Sequence, residues 1–336
     1  MNKEIIFGLL FLLFCKGGDV YIDTSKFDCN NTIAFEKTDF ISAFGEGKFV
    51  DYICVIKATT NAKPIRLTSG KYRECSPRWS YNEDELYFLQ EKEDFEHDGI
   101  IDKTLYKLDF STGKIILVIP PDRLENLVEL FCICEKNDRD LIVFQSDYGG
   151  DIYYWEDDRA NLILSLTEIK KFVNSNIKNF TFFSLDDIEA TEGGKLLAFS
   201  CSLFRSTPPG GLHGSIVVAY DLTTKKFTCI SIDTIAEVAS DIAFNPQERY
   251  LAYRQQLNKS SFALRIWDAA TGKIRTILET SDLAWIGWAP DGKHIAYAGS
   301  KPGAPPDPKE VTWVVDLNGN VLYGLNFAGE FDWCPR

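Results

Sequence analysis

The amino-acid sequence predicts an all-β fold, a six-bladed β-propeller that is closed by pairing of its C-terminal strand with its N-terminal blade. Three observations support this prediction. A strand–turn–strand pattern returns along the chain, its clearest copies are spaced by 44 and 45 residues, and the strand that the first unit lacks occurs at the C-terminal end. Repeats of this length, with β-branched and aromatic residues alternating between turn signals, are typical of four-stranded propeller blades.

The first residues have the dimensions of a signal peptide, which we place at residues 1–18. Residues 5–14 form an apolar run that is too short for a membrane-spanning helix, and Cys15 ends it. Three alternatives remain open. Cys15 is lipidated, as in a bacterial lipoprotein, although Phe14 replaces the small residue of that pattern; or cleavage follows residue 17 or 18; or the segment is retained as an anchor. We therefore expect one exported propeller domain over residues 19–336.

The clearest repeat predicts the order of strands in a blade. It reads WAPDGKHIAY from Trp288 and, after a loop, VTWVVDLNGN from Val311. Related pairs of segments are FNPQERYLAY with LRIWDAATGK, WSYNEDELYF with LYKLDFSTGK, ATEGGKLLAF with IVVAYDLTTKK, and CEKNDRDLIVF with IYYWEDDRAN. The first aromatic residue is predicted to end the inner strand, and the turn after it reverses the chain.

Four aspartates recur where the third strand of a blade is predicted to end: Asp109, Asp221, Asp268 and Asp316. Their carboxylates can accept hydrogen bonds from backbone N–H groups about two residues further on, which fixes the turn to the outer strand. We predict a structural role for these four residues.

The two ends of the chain are predicted to build one blade together. Residues 31–69 contain three strands without an inner one, and residues 328–336 supply it. Closure of the ring in this way removes exposed sheet edges. The other five blades are predicted at residues 75–118, 128–167, 183–231, 239–279 and 284–326.

These repeats, together with the segment PIRLTSG from Pro64, resemble those of the TolB-like six-bladed propellers of bacterial envelopes. The resemblance covers nearly the whole chain after the signal and is strongest in blades two, five and six. It does not extend to the N-terminal α/β domain of TolB, because the repeats begin soon after the signal. It implies a periplasmic or envelope-associated binding scaffold, while the partners of TolB itself are not carried over.

The net charge and the lack of catalytic motifs argue against several classes of function. The net charge of −13 leaves no excess of Lys and Arg for nucleic acid, and membrane contact is expected only through an N-terminal lipid. The sequence contains no GxSxG, HExxH, P-loop or strand-associated GxGxxG motif, and its three histidines fall on different blades. We predict a monomeric, non-enzymatic scaffold for an envelope protein, peptide or glycan. The alternative is a polysaccharide-degrading propeller similar to oligogalacturonate lyases, whose sites use clustered histidines and a metal.

Loops between the second and third strands are predicted to be long in blades one, two, four and six, and they leave the propeller on one face. We call this the long-loop face and predict that it binds the ligand. Arg205 and His213, in the blade-four loop, are the candidate ligand-binding residues. Exposed loop residues without such a role are the alternative.

The blade-two loop carries a pattern of oxygen donors typical of calcium sites. Its sequence from residue 94, DFEHDGIID, reproduces nine positions of a calcium loop, with these donors: the side chains of Asp94, Glu96, Asp98 and Asp102, and the carbonyl of Ile100. TolB-like propellers resemble this with an Asp-rich DGxID loop. Leu105 stands where a bidentate acid is expected, so Glu91, Glu93 or water would have to complete the site. An unliganded acidic loop is the alternative.

The sequence contains nine cysteines. Without Cys15 eight are left, an even number that is consistent with an exported chain. Cys132 and Cys134 are expected on the same side of one strand, either as buried small hydrophobic residues or as a metal-binding pair.

Overall fold

The protein consists of six four-stranded antiparallel sheets, as a computed structural model shows. The model describes residues 29–43, 46–69, 73–93, 101–120, 128–146, 150–178, 180–205, 213–235, 241–304, 311–327 and 329–334. The predicted signal peptide and Cys15 lie outside these residues. The predicted six-bladed propeller is confirmed.

Blades one to three contain the following strands. Blade one contains β1 (Thr32–Ala43), β2 (Glu46–Lys57), β3 (Ile65–Arg66) and, as its inner strand, β24 (Phe331–Trp333). Blade two contains β4 (Arg73–Trp79), β5 (Glu85–Glu93), β6 (Ile101–Asp109) and β7 (Lys114–Leu117). Blade three contains β8 (Val128–Lys136), β9 (Arg139–Ser146), β10 (Ile152–Glu156) and β11 (Arg159–Leu164).

Blades four to six follow the same order from the inner to the outer strand. Blade four contains β12 (Phe180–Ala190), β13 (Leu196–Arg205), β14 (His213–Asp221) and β15 (Lys226–Asp233). Blade five contains β16 (Ile242–Phe244), β17 (Tyr250–Asn258), β18 (Ser261–Asp268) and β19 (Ile274–Thr280). Blade six contains β20 (Leu283–Trp288), β21 (His294–Gly299), β22 (Thr312–Asp316) and β23 (Val321–Leu325).

Closure of the ring occurs as predicted. The C-terminal strand β24 pairs with β1, with Trp333 opposite Ile33 and Phe331 opposite Phe35. Blades one and six then pack through a buried apolar cluster, in which the rings of Phe35 and Phe327 stack with centroids 4.2 Å apart. The last strand therefore completes both a sheet and the contact between two blades.

The four predicted turn aspartates end β6, β14, β18 and β22. Each carboxylate accepts a hydrogen bond from the backbone N–H two residues further on, at 2.8 to 2.9 Å: Ser111, Thr223, Ala270 and Asn318 are the donors. Hydrogen bonds from Ser111 and Thr112 lower the pKa of Asp109 to about 2. Their predicted structural role is confirmed.

Two details of the structure differ from the sequence prediction. The blade-one segment that was predicted as a long loop continues both strands, because β1 and β2 pair without a break from Thr32 with Lys57 to Ala43 with Glu46. Pairing with each other satisfies the backbone groups of this polar hairpin. A helix, α1 (Leu166–Asn176), joins blades three and four where no helix was predicted.

Helix α1 has a capping box that is visible in the sequence. The Ser165 side chain accepts from the Glu168 N–H, and the Glu168 carboxylate accepts from the Ser165 N–H. Ile169 and Val173 bury one side of the helix against blade four. Within the described parts of the chain, no helix is long and apolar enough to cross a membrane.

Candidate functional site

A cavity of about 290 Å³ occupies part of the central channel. Inner strands of all six blades form its wall. The lining follows these strands toward their C-terminal ends and in four blades continues into the turn that follows, where it includes Tyr81, Glu192, Pro246 and Pro290. The cavity therefore reaches the face that carries the short turns between first and second strands. The long loops leave the strands at the opposite ends.

The described lining of the cavity is strongly acidic. It contains one arginine, Arg78, and eight carboxylates: Glu135, Asp186, Asp187, Glu189, Glu192, Asp241, Glu330 and Asp332. Charges of one sign that line a concave, poorly solvated surface focus the electrostatic field there. The cavity consequently attracts cations.

Arg78 lies among these carboxylates with only 13% of its side chain exposed. Its Nη2 atom is 2.9 Å from Oε1 of Glu330, and its Nε atom is 4.0 Å from Oε1 of Glu189. Burial disfavours the guanidinium charge, but Glu330 and Glu189 outweigh this effect and raise the pKa of Arg78. One permanent positive charge thus neutralises part of the acidic wall.

Several carboxyl groups of the wall hold their protons more tightly than usual. Burial raises the pKa of Glu189 to about 8, even though Arg78 opposes this shift. Burial likewise raises the pKa of Asp187 and that of Asp332. Asp241 also has a raised pKa through burial, although Arg254 Nη1 lies 3.2 Å from its Oδ2. These carboxyl groups therefore retain protons that a bound cation would displace.

Two of these aspartates also join neighbouring blades. Oδ2 of Asp332 accepts from the backbone N–H of Trp79 at 2.7 Å, and Oδ2 of Asp187 accepts from that of Ile242 at 2.9 Å. Each bond runs from the inner strand of one blade to the inner strand of the next. These carboxylates therefore hold the shape of the channel as well as its charge.

Irregular backbone in the inner strands directs side chains into the channel. β4 and β20 each contain a bulge, with a left-handed residue three positions before the terminal tryptophan: Ser76 at φ 54° and Trp285 at φ 43°. Such conformations are strained for residues other than glycine and occur preferentially at functional sites. Ser76 donates to Oε2 of Glu330 at 2.7 Å, and Trp285 lines the cavity.

Trp333 lines the cavity, and its indole N–H is buried. Its side chain is nearly buried, at 5% exposure, and its indole N–H finds no partner among the described residues. The equivalent Trp288 of blade six donates instead to the carbonyl of Ala243, at 3.0 Å.

Charges at the other end of the channel are paired. Arg73 contacts Asp51 at 2.7 Å and Glu91 at 3.0 Å, and Lys103 contacts Glu129 at 2.7 Å. These ion pairs connect blades one, two and three near the long-loop face. Arg73 and Lys103 therefore balance several of the carboxylates at this end.

The site residues predicted from the sequence lie elsewhere. Arg205 ends β13 opposite Phe180, and His213 begins β14 opposite Phe204. The predicted calcium donors Asp94, Glu96, Asp98 and Ile100 are outside the described residues, and Asp102 pairs with Lys92 in β6. The described lining of the cavity includes none of these residues.

The sequence carries a pattern of charged residues that indicates the lining of the cavity. A charged residue directly precedes the last residue of an inner strand in four blades: Arg78, Glu135, Glu189 and Asp332. Side chains alternate along a strand, so a residue next to a blade-packing side chain faces the channel. Charge at this repeat position indicates the channel lining.

Cys132 and Cys134 are buried in the apolar cluster between blades three and four. Within the described ranges, no three His, Cys, Asp or Glu side chains are arranged to hold a metal ion.

Comparison with solved structures supports the fold. TolB from Acinetobacter baumannii is 14% identical, with a TM-score of 0.60 over 99% of this chain and 71% of that chain. An oligogalacturonate lyase in complex with manganese is 13% identical, with a TM-score of 0.51 over 87% of this chain and 74% of that chain. A puromycin-hydrolyzing peptidase from Mycobacterium tuberculosis is 15% identical, with a TM-score of 0.51 over 75% of this chain and 39% of that chain.

No family model and no curated protein matches the sequence. At 13–15% identity, structural likeness shows the fold alone, and the three similar structures carry different activities. The chain has the TolB-like six-bladed propeller fold that its repeats predict.

Proposed function

We propose that this chain is an exported, envelope-associated binding scaffold that is not an enzyme and whose central cavity holds a positively charged segment of a protein or peptide. The observation that carries the proposal is the cavity of about 290 Å³, with eight carboxylates and one arginine in its described lining. The proposed binding site is therefore the channel and not the long-loop face that the sequence predicted.

The groups of the described lining are better suited to binding a ligand than to acting as a nucleophile. Burial raises the pKa of the Cys134 thiol to about 12, so this sulfur stays protonated at neutral pH. The hydroxyl of Ser76 is directed to the carboxylate of Glu330. These contacts support a role in binding.

Cation binding in this cavity would be coupled to proton release. A bound ammonium or guanidinium group favours the ionised form of Glu189, whose pKa burial raises to about 8. The affinity for a cation should therefore increase as the pH rises from 7 to 9.

The alternative function is a polysaccharide-degrading enzyme, as the likeness to an oligogalacturonate lyase suggests. A galacturonate oligomer is a polyanion, and the carboxylates of the cavity would repel it. The charge of the channel therefore favours a basic peptide over an acidic glycan. Turnover of such a glycan by the purified chain would support the alternative.

Two further proposals concern the N-terminal segment and the blade-two loop. The signal peptide would direct the chain to the periplasm or the cell envelope, and the mass of the processed N-terminus would show whether Cys15 carries lipid. A calcium ion in the blade-two loop would order the tip of the hairpin between β5 and β6.

A capture experiment tests the proposed function. The tagged chain is incubated with an extract of its own cell envelope, and bound proteins are eluted with hexalysine or with hexaglutamate. We expect a partner that hexalysine alone releases and that the Glu135→Gln/Glu189→Gln variant no longer retains.

The matched control is the Glu156→Gln/Asp157→Asn variant, which removes two charges from the third strand of blade three and its following turn. It should retain the partner. Equal capture by both double variants, or release by both peptides alike, would contradict the proposal.

A further inference from the structure

The propeller ring is covalently open at one place, between the inner strand β24 and the second strand β1 of blade one. In blade six a short turn joins the equivalent strands, and Ala289 N–H donates to the carbonyl of His294 at 2.9 Å. In blade one Cys334 N–H donates to the carbonyl of Thr32 at 2.8 Å. Cys334 therefore occupies the position of Ala289, directly after the terminal tryptophan of the inner strand.

Cys29 lies on the β1 side of this opening. Thr32 N–H donates to the carbonyl of Cys29 at 3.0 Å, so Cys29 lies three residues before the second strand. The residue at this position in blade six is Asp291, two residues after Ala289. Residues two apart in a chain have Cα atoms within roughly 7 Å, and disulfides span about 4.4–6.8 Å between Cα atoms. The positions of Cys29 and Cys334 thus suit a disulfide.

Both cysteines also contact the same apolar cluster between blades one and two. Cys334 is fully buried in this cluster beside Trp79, and Cys29 packs against it while half-buried. The structure holds both residues as thiols. Cys29 is therefore partly accessible to solvent, whereas Cys334 is not.

We propose that Cys29 and Cys334 form a disulfide bond that closes the propeller covalently in an oxidising compartment. The proposal rests on the exported location in the proposed function, and it is independent of the ligand. The oxidant is a disulfide of the thiol-exchange class. The Cys29 thiolate attacks it and releases one thiol, and Cys334 then displaces the second thiol from Cys29. The two cysteines lose two protons and two electrons, which reduce the oxidant to two thiols.

Burial of other cysteines favours the half-buried Cys29 for the first exchange step, and Cys334 lies in the apolar cluster against which Cys29 packs. Burial raises the pKa of the Cys54 thiol to about 11 and that of Cys134 to about 12, and it raises the pKa of Cys75, Cys132 and Cys201 strongly. Exchange requires the thiolate, so these five residues react slowly. The loop closed by the proposed bond contains nearly the whole domain, and a long loop restricts the unfolded chain strongly.

Peptide mapping tests the proposal. The full chain is equilibrated with oxidised glutathione, its remaining thiols are alkylated with iodoacetamide under denaturing conditions, and it is digested with trypsin without reduction. Residues 27–37 and 310–336 form two tryptic peptides with one cysteine each. We expect them as one linked peptide, two hydrogens lighter than their sum, in nearly all molecules. Alkylation of both cysteines, or a link from either of them to another cysteine, would overturn the proposal.

Two variants keep this test independent of a folding defect. Cys29→Ser changes a half-buried residue and should abolish the linked peptide, whereas Cys229→Ser changes a half-buried cysteine of β15 and should retain it. Oxidation should raise the midpoint of thermal unfolding of the parent and of Cys229→Ser, but not that of Cys29→Ser. An equal rise in all three would contradict the assignment. Binding of hexalysine, measured separately, reports on the proposed function.

Discussion

Replacing Glu189 with glutamine should stabilise the protein at alkaline pH. Glu189 lines the cavity, and burial raises its pKa from 4.5 to about 8. Between these two pH values the unfolded chain releases the proton of Glu189 while the native protein retains it. Native stability must therefore fall as the pH rises through this interval. Glutamine has nearly the same shape and does not ionise, so the variant lacks this loss.

The size of the effect follows from the pKa shift and from the exposure of the side chain. The shift corresponds to roughly 5 kcal/mol, at about 1.4 kcal/mol per pKa unit. However, 22% of the side chain is open to the cavity, where water reduces the cost of its charge. We expect about half of this free energy. The free energy of unfolding of the variant should therefore exceed that of the parent by ~2 kcal/mol at pH 9 and by almost nothing near pH 4.5.

Urea unfolding of both proteins at several pH values between 5 and 9 measures this difference. Carboxyl groups that do not interact with Glu189 affect both proteins equally, so the difference reports on Glu189 together with Asp187, whose pKa Glu189 helps to raise. A difference that does not change with pH would refute the raised pKa. A variant that is less stable than the parent at pH 9 would show that the ion pair with Arg78 outweighs the cost of burial.

Three further predictions concern turns, packing and calcium. Trp288→Phe should cost about 1–2 kcal/mol more in the free energy of unfolding than Trp333→Phe, because only Trp288 donates to a buried carbonyl; equal costs in urea unfolding would contradict this. Ser165→Ala should cost about 1 kcal/mol through loss of the α1 capping box, and an unchanged unfolding midpoint would argue against it. Asp98→Ala should weaken calcium binding about tenfold or more in titration calorimetry, whereas Asp158→Asn, in an exposed turn, should not; full calcium affinity in Asp98→Ala would exclude the predicted loop.

The blade order was predictable because local patterns determine it. The aromatic residue before a turn, as at Trp288, and the aspartate after the third strand, as at Asp316, each have a local physical cause. Pairing of β24 with β1 followed from counting strands, since an incomplete blade would leave an exposed edge. Helix α1 was missed although Ser165 and Glu168 form a capping box, because the repeat pattern predicted only strands around it.

The cavity was not predicted because it depends on contacts between distant residues. Arg78, Glu189 and Glu330 belong to three different blades and meet only in the closed ring. The long loops predicted a binding site on the opposite face. The charge of the channel comes instead from single residues in inner strands. The raised pKa of Glu189 results from burial, which the sequence around it does not show.

Binding of labelled hexalysine to the purified chain, compared with labelled hexaglutamate over pH 7 to 9, tests the central claim most directly. If the channel binds a cationic segment, hexalysine binds with an affinity that rises with pH, and Glu135→Gln/Glu189→Gln weakens it about tenfold or more while Glu156→Gln/Asp157→Asn does not. Equal binding of both peptides, or equal hexalysine affinity in both double variants, would contradict the account, because attraction would then come from the general negative charge of the surface.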